Sequence, residues 1–242
     1  MADINAATII TAGGLGKRFS TEGANKLPKQ FIPLLGKPLI VHSTQCFESS
    51  KLIREIILVV PDGWVDYTKS HIVEKFKLSK VTKIISGGKE RQESVEKGIH
   101  SISSKPAVIA VHDGVRPFVT LDLIEKVIIE AGKSGGAIAA FPSTDTIKKS
   151  SPEHFIENTV PRDNIWFAQT PQAFRYDVLK QAFEKASQDG YLATDESLLV
   201  ERLGMEVKLV KSSKHNIKIT TPEDFEMGEL ILRTGLHNKK QG

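Results

Sequence analysis

The sequence predicts an α/β protein built on an open, mostly parallel sheet with helices on both faces. Short apolar runs rich in Val, Ile and Ala recur at 7–11, 55–60, 81–86, 107–112 and 136–141, and continuous rather than alternating apolarity marks strands buried on both faces. Between the runs lie segments of helical spacing, and strands alternating with helices of roughly 10–15 residues imply right-handed crossovers. The 242 residues, 40% apolar and 26% charged, suit a single domain spanning 1–242 and exclude disordered and fibrous classes.

Taken in order, Ala7 to Thr11 forms the first strand and Pro38 to Ser50 a helix with Pro38 in its first turn. Strands follow at 55–60 and 81–86, and Gly87 and Gly88 then turn the chain into a helix with Arg91 and Ser94 in its first turns. The strand at 107–112 ends beside Asp113. Thr120 caps a helix whose Leu121, Ile124, Val127, Ile128 and Ala131 share one face, and a strand at 136–141 closes the first half. The rhythm breaks at 142–162, a polar stretch with Pro142, Pro152 and Pro161 and two short alternating runs, 146–149 and 154–160. This is the pattern of a β-hairpin arm projecting from the sheet. The α/β pattern resumes with a strand at 165–170, helices at 177–187 and 195–203, strands at 206–210 and 216–220, and a helix from Pro222. Trp64, Trp166 and the phenylalanines are expected in the core, and 237–242 reads as a frayed tail. The chain carries no internal repeat.

Thirty-three Lys and Arg against twenty-nine Asp and Glu leave +4, an excess too mild to predict nucleic-acid binding but suited to a phosphorylated small molecule. The basic residues cluster at loops after strands and form no stripe. A single cysteine, Cys46, rules out an internal disulfide and a thiolate metal site and points to a reducing compartment. No apolar run reaches the roughly 18 residues needed to span a bilayer, and the N-terminus lacks a basic region followed by an apolar stretch. The expected location is the cytoplasm, away from membranes.

The first strand runs into AGGLGKRF, where Gly13, Gly14 and Gly16 precede Lys17 and Arg18. Glycines let the backbone approach a ligand and aim N–H groups at anionic oxygens, and the carboxyl end of a first parallel strand is where open sheets bind ligands. A dinucleotide fingerprint from Gly14 would need glycine where Phe19 stands, and a Walker A loop ending at Lys17 would need it where Thr11 stands. Both fail. Lys26, Lys29 and Gln30 in NKLPKQF return a second basic cluster from the same loop, which favours a phosphate cradle.

AGGLGKRF, LPKQF, GGKERQESV, VHDGVRPF, AQTPQAF and NIKITTPEDF, in this order between residues 12 and 225, resemble the 2-C-methyl-D-erythritol 4-phosphate cytidylyltransferases. The resemblance covers nearly the whole chain and implies a Rossmann-like sheet of the nucleotidyltransferase type. It implies a reaction that joins CTP to a sugar-alcohol phosphate with Mg2+, giving the CDP derivative and pyrophosphate.

Nucleotidyl transfer requires a nucleophile, an in-line leaving group and compensation for charge at the α-phosphorus. A phosphate monoester has a second pKa near ~6 and is largely dianionic at neutral pH, so it needs no general base. Positioning and electrostatics should carry the rate. By resemblance, Arg18 and Lys29 stabilise the pentavalent state, Ala12, Gly13, Gly14 and Gly16 cradle the triphosphate, and Gly87, Arg91 and Ser94 read the cytosine and ribose. The separation of Arg18 from Lys29 exceeds the spacing expected for the family, so Lys26 competes for the second cation. Asp113, at the carboxyl edge of its strand, is the expected metal ligand, since magnesium commonly takes only one or two protein carboxylates. His112 is expected to pack or hydrogen-bond locally, while Gly114 and Arg116 match residues facing the substrate phosphates.

In the resembled family the hairpin, here 142–162, crosses to a second subunit, so a symmetric homodimer is expected. Thr146 and Arg162 match acceptor-binding residues of that arm, and Thr170, Thr194 and Lys218 match further substrate contacts. A ribitol 5-phosphate cytidylyltransferase shares almost every motif and is the alternative; AGG and DGVRPF lean toward it, TDES and HNIKITTPED away. A non-catalytic nucleotide sensor should have lost a reacting cation or the carboxylate, yet Arg18, Lys29 and Asp113 are all present.

Overall fold

The computed structural model describes residues 4–14 and 27–238. Gly16, Lys17, Arg18 and Lys26 lie outside the described residues. The strands are β1 (Ala6–Thr11), β2 (Pro33–Leu34), β3 (Lys37–Pro38), β4 (Ile53–Val60), β5 (Val81–Ser86), β6 (Val108–Asp113), β7 (Gly136–Pro142), β8 (Ile147–Ser150), β9 (Ile156–Val160), β10 (Trp166–Arg175) and β11 (Lys208–Lys211). The helices are α1 (Leu39–Ser49), α2 (Val65–Thr68), α3 (Arg91–Ser101), α4 (Leu121–Ser134), α5 (Tyr176–Asp189), α6 (Glu196–Glu201) and α7 (Pro222–Thr234).

Seven strands form one sheet in the order β11-β7-β10-β6-β1-β4-β5. β1 pairs in parallel with β4 and β6, and β10 alone runs antiparallel, between β6 and β7. The expected α/β architecture is therefore present. Successive residues of β1 serve opposite faces: Ile10 joins a core with Phe47 of α1 and Ile124 and Val127 of α4, and Ile9 joins one with Val95 of α3, Leu179 of α5 and Leu199 of α6. A third, smaller cluster seats α7 through Ile231 against Leu34, Leu39 and Phe118. Close contact of α3 with β1 depends on Gly98, where an added Cβ would lie 2.6 Å from Ile9.

Caps explain the helix boundaries. Thr120 accepts from Leu123 N–H at the start of α4, and Thr221 with Asp224 forms a reciprocal capping box on α7, with Pro222 in the first turn. α1 begins one residue later than expected, with Pro38 as its N-cap. β8 and β9 pair antiparallel outside the main sheet, as expected of a projecting hairpin.

Several sequence expectations need correction. The strand expected at 216–220 does not form. Ile219 N–H donates to Val115 O, but Thr220 N–H is taken by the Asp224 carboxylate, so the segment crosses the strand tips without building a ladder. The strand expected at 165–170 continues to Arg175, because residues 172–175 pair with β6 and residues 172–174 also pair with β7. The aromatic expectation holds for Phe31, Phe47, Phe118 and Phe174, which are fully buried. It fails for Phe155, 75% exposed between the strands of a hairpin outside the main sheet, and for Phe167, on the part of β10 that pairs with β7 alone, where its ring stacks on Phe141.

Candidate active site

The carboxyl ends of β1 and β6 and the turn into α3 open onto a cavity of about 590 Å3. Its floor is Thr11 to Gly14, one wall is Gly88 to Arg91 with Ser94, and Lys29, Asp113 and Lys218 close the other sides. The sheet produces this convergence: β1 and β6 are neighbours with Thr11 opposite Asp113, so the two strand tips end at one height.

The glycine turns provide close approach. A Cβ on Gly87 would lie 2.9 Å from Ser94 Oγ, and Gly13 faces the Gly87 Cα across the same gap. Ser94 Oγ accepts from Gly88 N–H at 2.9 Å and donates to Glu90 O at 3.1 Å. Its hydroxyl thus shapes the loop before it meets any ligand. On the opposite side, Gln30 is buried and its Nε2 donates to Ala12 O at 2.5 Å, while Phe31 stacks on Trp64 with centroids 5.3 Å apart. These contacts hold the segment carrying Lys29, whose Nζ donates to Ile219 O at 3.3 Å.

Asp113 is the electrostatic hub. Its Oδ1 lies 3.3 Å from Arg91 Nε, and its Oδ2 lies 3.0 Å from Lys218 Nζ and 3.4 Å from Arg116 Nε. Burial works to raise its pKa, but Arg91, Lys218 and Arg116 prevail and hold the carboxyl far below the usual carboxylate range. Arg91 is also gripped by Glu196, with Nη1 and Nη2 reaching the two carboxylate oxygens at 2.6 and 3.0 Å. Burial pushes Glu196 upward against the pull of Arg91. Three cations balanced by two carboxylates leave one positive charge in the cluster before Lys29 is added, which suits an anionic ligand.

A hydrogen-bonded layer behind the cavity fixes Asp113. Thr170 Oγ1 accepts from Asp113 N–H at 3.0 Å and stands 3.0 Å from His112 Nδ1, and His112 Nε2 lies 3.2 Å from Arg116 O. One tautomer satisfies all three contacts: Thr170 donates to Nδ1 and Nε2–H donates to the carbonyl. Burial lowers the His112 pKa to about 3, so the ring is neutral. Asn216 continues the layer, donating to Gln169 Oε1 and Thr170 O while its backbone carbonyl accepts from Arg116 Nη1.

The fold therefore brings together Ala12, Gly13, Gly14, Lys29, Arg91, Ser94, Asp113 and Lys218 around one cavity, with Gly87, Gly114 and Arg116 immediately behind them. Thr170 is buried and serves Asp113 from behind. Thr146, Arg162 and Thr194 do not line the cavity; Arg162 is exposed, and its Nη1 donates to Thr144 O at the base of the hairpin. Sequence reasoning placed Gln30 in the basic cluster without its anchoring role, and it missed Glu196. A carboxylate at the start of a helix, as in TDES, reads as a solvated dipole partner, and only burial beside Arg91 reveals otherwise.

Among the described residues no group of three His, Cys, Asp or Glu side chains is placed to hold a metal ion. The donor set fits a divalent ion only if phosphate oxygens and water supply most of its ligands, with Asp113 giving one oxygen from a carboxylate already shared among three cations.

The sequence model of the family "IspD: 2-C-methyl-D-erythritol 4-phosphate cytidylyltransferase" matches residues 6–234. Proteins named 2-C-methyl-D-erythritol 4-phosphate cytidylyltransferase from Syntrophus aciditrophicus and Alkaliphilus oremlandii are each 42% identical, the alignments covering 93% and 94% of this chain and 94% and 95% of theirs. The crystal structure of 4-diphosphocytidyl-2C-methyl-D-erythritol synthase from Anaerococcus prevotii superposes with a TM-score of 0.81 at 29% identity, covering 96% of this chain and 99% of that one. The 2-C-methyl-D-erythritol 4-phosphate cytidylyltransferase from Thermus thermophilus gives 0.75 at 28%, covering 95% and 99%.

Proposed function

The chain belongs to the 2-C-methyl-D-erythritol 4-phosphate cytidylyltransferase family, and from that premise we propose how its cavity carries out the reaction. The enzyme transfers the cytidylyl group of CTP to 2-C-methyl-D-erythritol 4-phosphate, giving 4-diphosphocytidyl-2-C-methyl-D-erythritol and pyrophosphate. The observation that carries the mechanism is the meeting of Lys29, Arg91, Asp113 and Lys218 with the glycine turns in one cavity.

The triphosphate lies along Ala12 to Gly14, where the N–H groups of Gly13 and Gly14 meet its oxygens, those of Ala12 and Gly88 being taken by Val59 O and Ser94 Oγ. Lys29, together with Arg18, neutralises charge that grows on the α-phosphate as the acceptor phosphate oxygen attacks in line and pyrophosphate departs. Lys218, held against Asp113, directs the acceptor phosphate, and Ser94 and Arg91 frame the nucleoside. When bound, Mg2+ neutralises the triphosphate and its leaving group, and Asp113 is the side chain that would hold it. Water exclusion and fixed charges do the rest, as a dianionic nucleophile needs no proton removed.

The hairpin of a second copy supplies Thr146 and Arg162 to the acceptor side. Support comes from the exposure of Arg162 and of Phe155 and Ile156 on the same hairpin. Thr194 is the acceptor contact on the chain's own side. The protein works in the cytoplasm, a reading supported by its one cysteine; no helix of the described residues is long and apolar enough to cross a membrane.

Incubation with CTP, Mg2+ and one acceptor at a time tests the reading. Pyrophosphate release with 2-C-methyl-D-erythritol 4-phosphate is expected, and release with ribitol 5-phosphate only would overturn it.

A further inference from the structure

We infer that Gln92 is a positioning residue for the acceptor, acting by fastening residues 191–196 to the start of α3. The inference rests on the assignment of Thr194 to the acceptor.

The segment 191–195 lies outside any helix or strand; Tyr191 at its start is held by its N–H bond to Ala186 O and by its ring beside Arg202, but beyond it Leu192 is 64% exposed and no ladder fixes the backbone. The Gln92 side chain supplies what is missing. Its Nε2 donates to Tyr191 O at 3.0 Å and its Oε1 accepts from Ala193 N–H at 2.8 Å, so both ends of one amide are used on alternate residues of the segment. The neighbouring Arg91 grips Glu196 through two bonds. A second anchor is Asp195, which caps α6 by accepting from Leu198 N–H and is itself held by Gln172 Nε2 at 2.9 Å. Thr194 therefore sits between two points tied down by consecutive residues of the helix that frames the nucleotide.

Gln92 does not line the cavity. Its effect on the reaction passes through the segment it holds. Losing the amide removes the hold on Tyr191 O and frees the backbone at 193, although Tyr191 N–H keeps its bond to Ala186 O; Thr194 then samples positions away from the acceptor, and Arg91 and the glycine turns stay in place. The signature is a split between the two substrates, and a residue that merely stabilised the fold would not produce it.

Steady-state kinetics on the full chain with both substrates test this. Gln92→Ala is expected to raise the KM for the acceptor roughly tenfold, about the net worth of one hydrogen bond, with the KM for CTP near wild type. An equal rise for both substrates, or none, overturns the inference. Should the alanine variant fold poorly, Gln92→Glu keeps the acceptor for Ala193 N–H while setting a charged oxygen against Tyr191 O, and the same split is expected. Thr194→Val separates the inference from the reading beneath it. If Thr194→Val leaves the acceptor KM unchanged, the assignment of Thr194 falls and the inference with it; if it raises that KM while Gln92→Ala does not, the inference alone falls. The double variant should bind the acceptor no worse than Thr194→Val, because both act through one contact; an additive loss overturns the inference.

Discussion

Lys218 Nζ stands 3.0 Å from Asp113 Oδ2, joining the segment before the last helix to the tip of a central strand. Arg91, at the start of α3, and Arg116, in the turn that follows the same strand, approach that carboxylate as well. One buried anion thus sets the positions of three cations, and the cavity's electrostatics depend on it.

Asp113→Asn should therefore cost more than a lost ligand. The amide places an N–H donor against at least one cation and removes the charge that holds all three. Turnover should fall roughly 100-fold or more, as when a preorganised electrostatic contact is removed. Stability should fall by about 3 kcal/mol, the cost of leaving buried charge without its partner. Pyrophosphate release and urea denaturation of the same preparation measure both, and wild-type values in either would contradict the hub.

Lys29 lines the cavity and its segment is anchored through Gln30 and Phe31. Lys29→Ala should lower turnover roughly 100-fold while the thermal melt stays near wild type. Lys26→Ala should have the smaller effect. The reverse order in a pyrophosphate-release assay would transfer the role to Lys26.

His112 is buried, neutral and lowered to about 3 by burial. The unfolded chain binds a proton at this ring below about pH 6.5, whereas the folded chain does not until about pH 3, so stability is present above 6.5 and is lost as pH falls toward 3. Between those limits the slope from this one group approaches about 1.4 kcal/mol per pH unit. His42 and His237 are also lowered by burial and act with the same sign. Urea melts at several pH values should therefore show a shallower acid limb for His112→Gln than for the parent; identical limbs would mean that the ring titrates normally.

Phe155 and Ile156 are 75% and 66% exposed on the hairpin, an arrangement that a second copy would cover. Replacing both with Asp should shift sedimentation from dimer to monomer and abolish most activity. Arg162→Ala should leave the dimer intact and raise the acceptor KM far more than that of CTP. A monomeric parent protein with full activity would remove the arm from the mechanism.

Much of this was legible in one dimension. Continuous apolar runs identify β1, β4, β6 and β7, since strands covered on both faces have no polar side to show. Gly13, Gly14, Gly87 and Asp113 were readable as a site because each ends such a run, and parallel strands in a sheet end on the same edge. The strand wrongly expected at 216–220 has the same composition as true strands, yet its hydrogen bonds go to side chains and to one strand tip. Phe155 shows the same limit from the other side: an aromatic residue carries no mark of whether a helix lies over it.

The order of residues determined the fold class, the strand-tip location of the site and the chemistry of its side chains, because periodicity, glycine and charge act locally along the chain. Tertiary structure alone decided that Asp113 serves three cations, that Glu196 is buried against Arg91, and that Gln92 grips 191 and 193. All but the Asp113–Arg116 pair join residues far apart in sequence, and their strength comes from exclusion of water, which exists only once the sheet and its helices have closed around them.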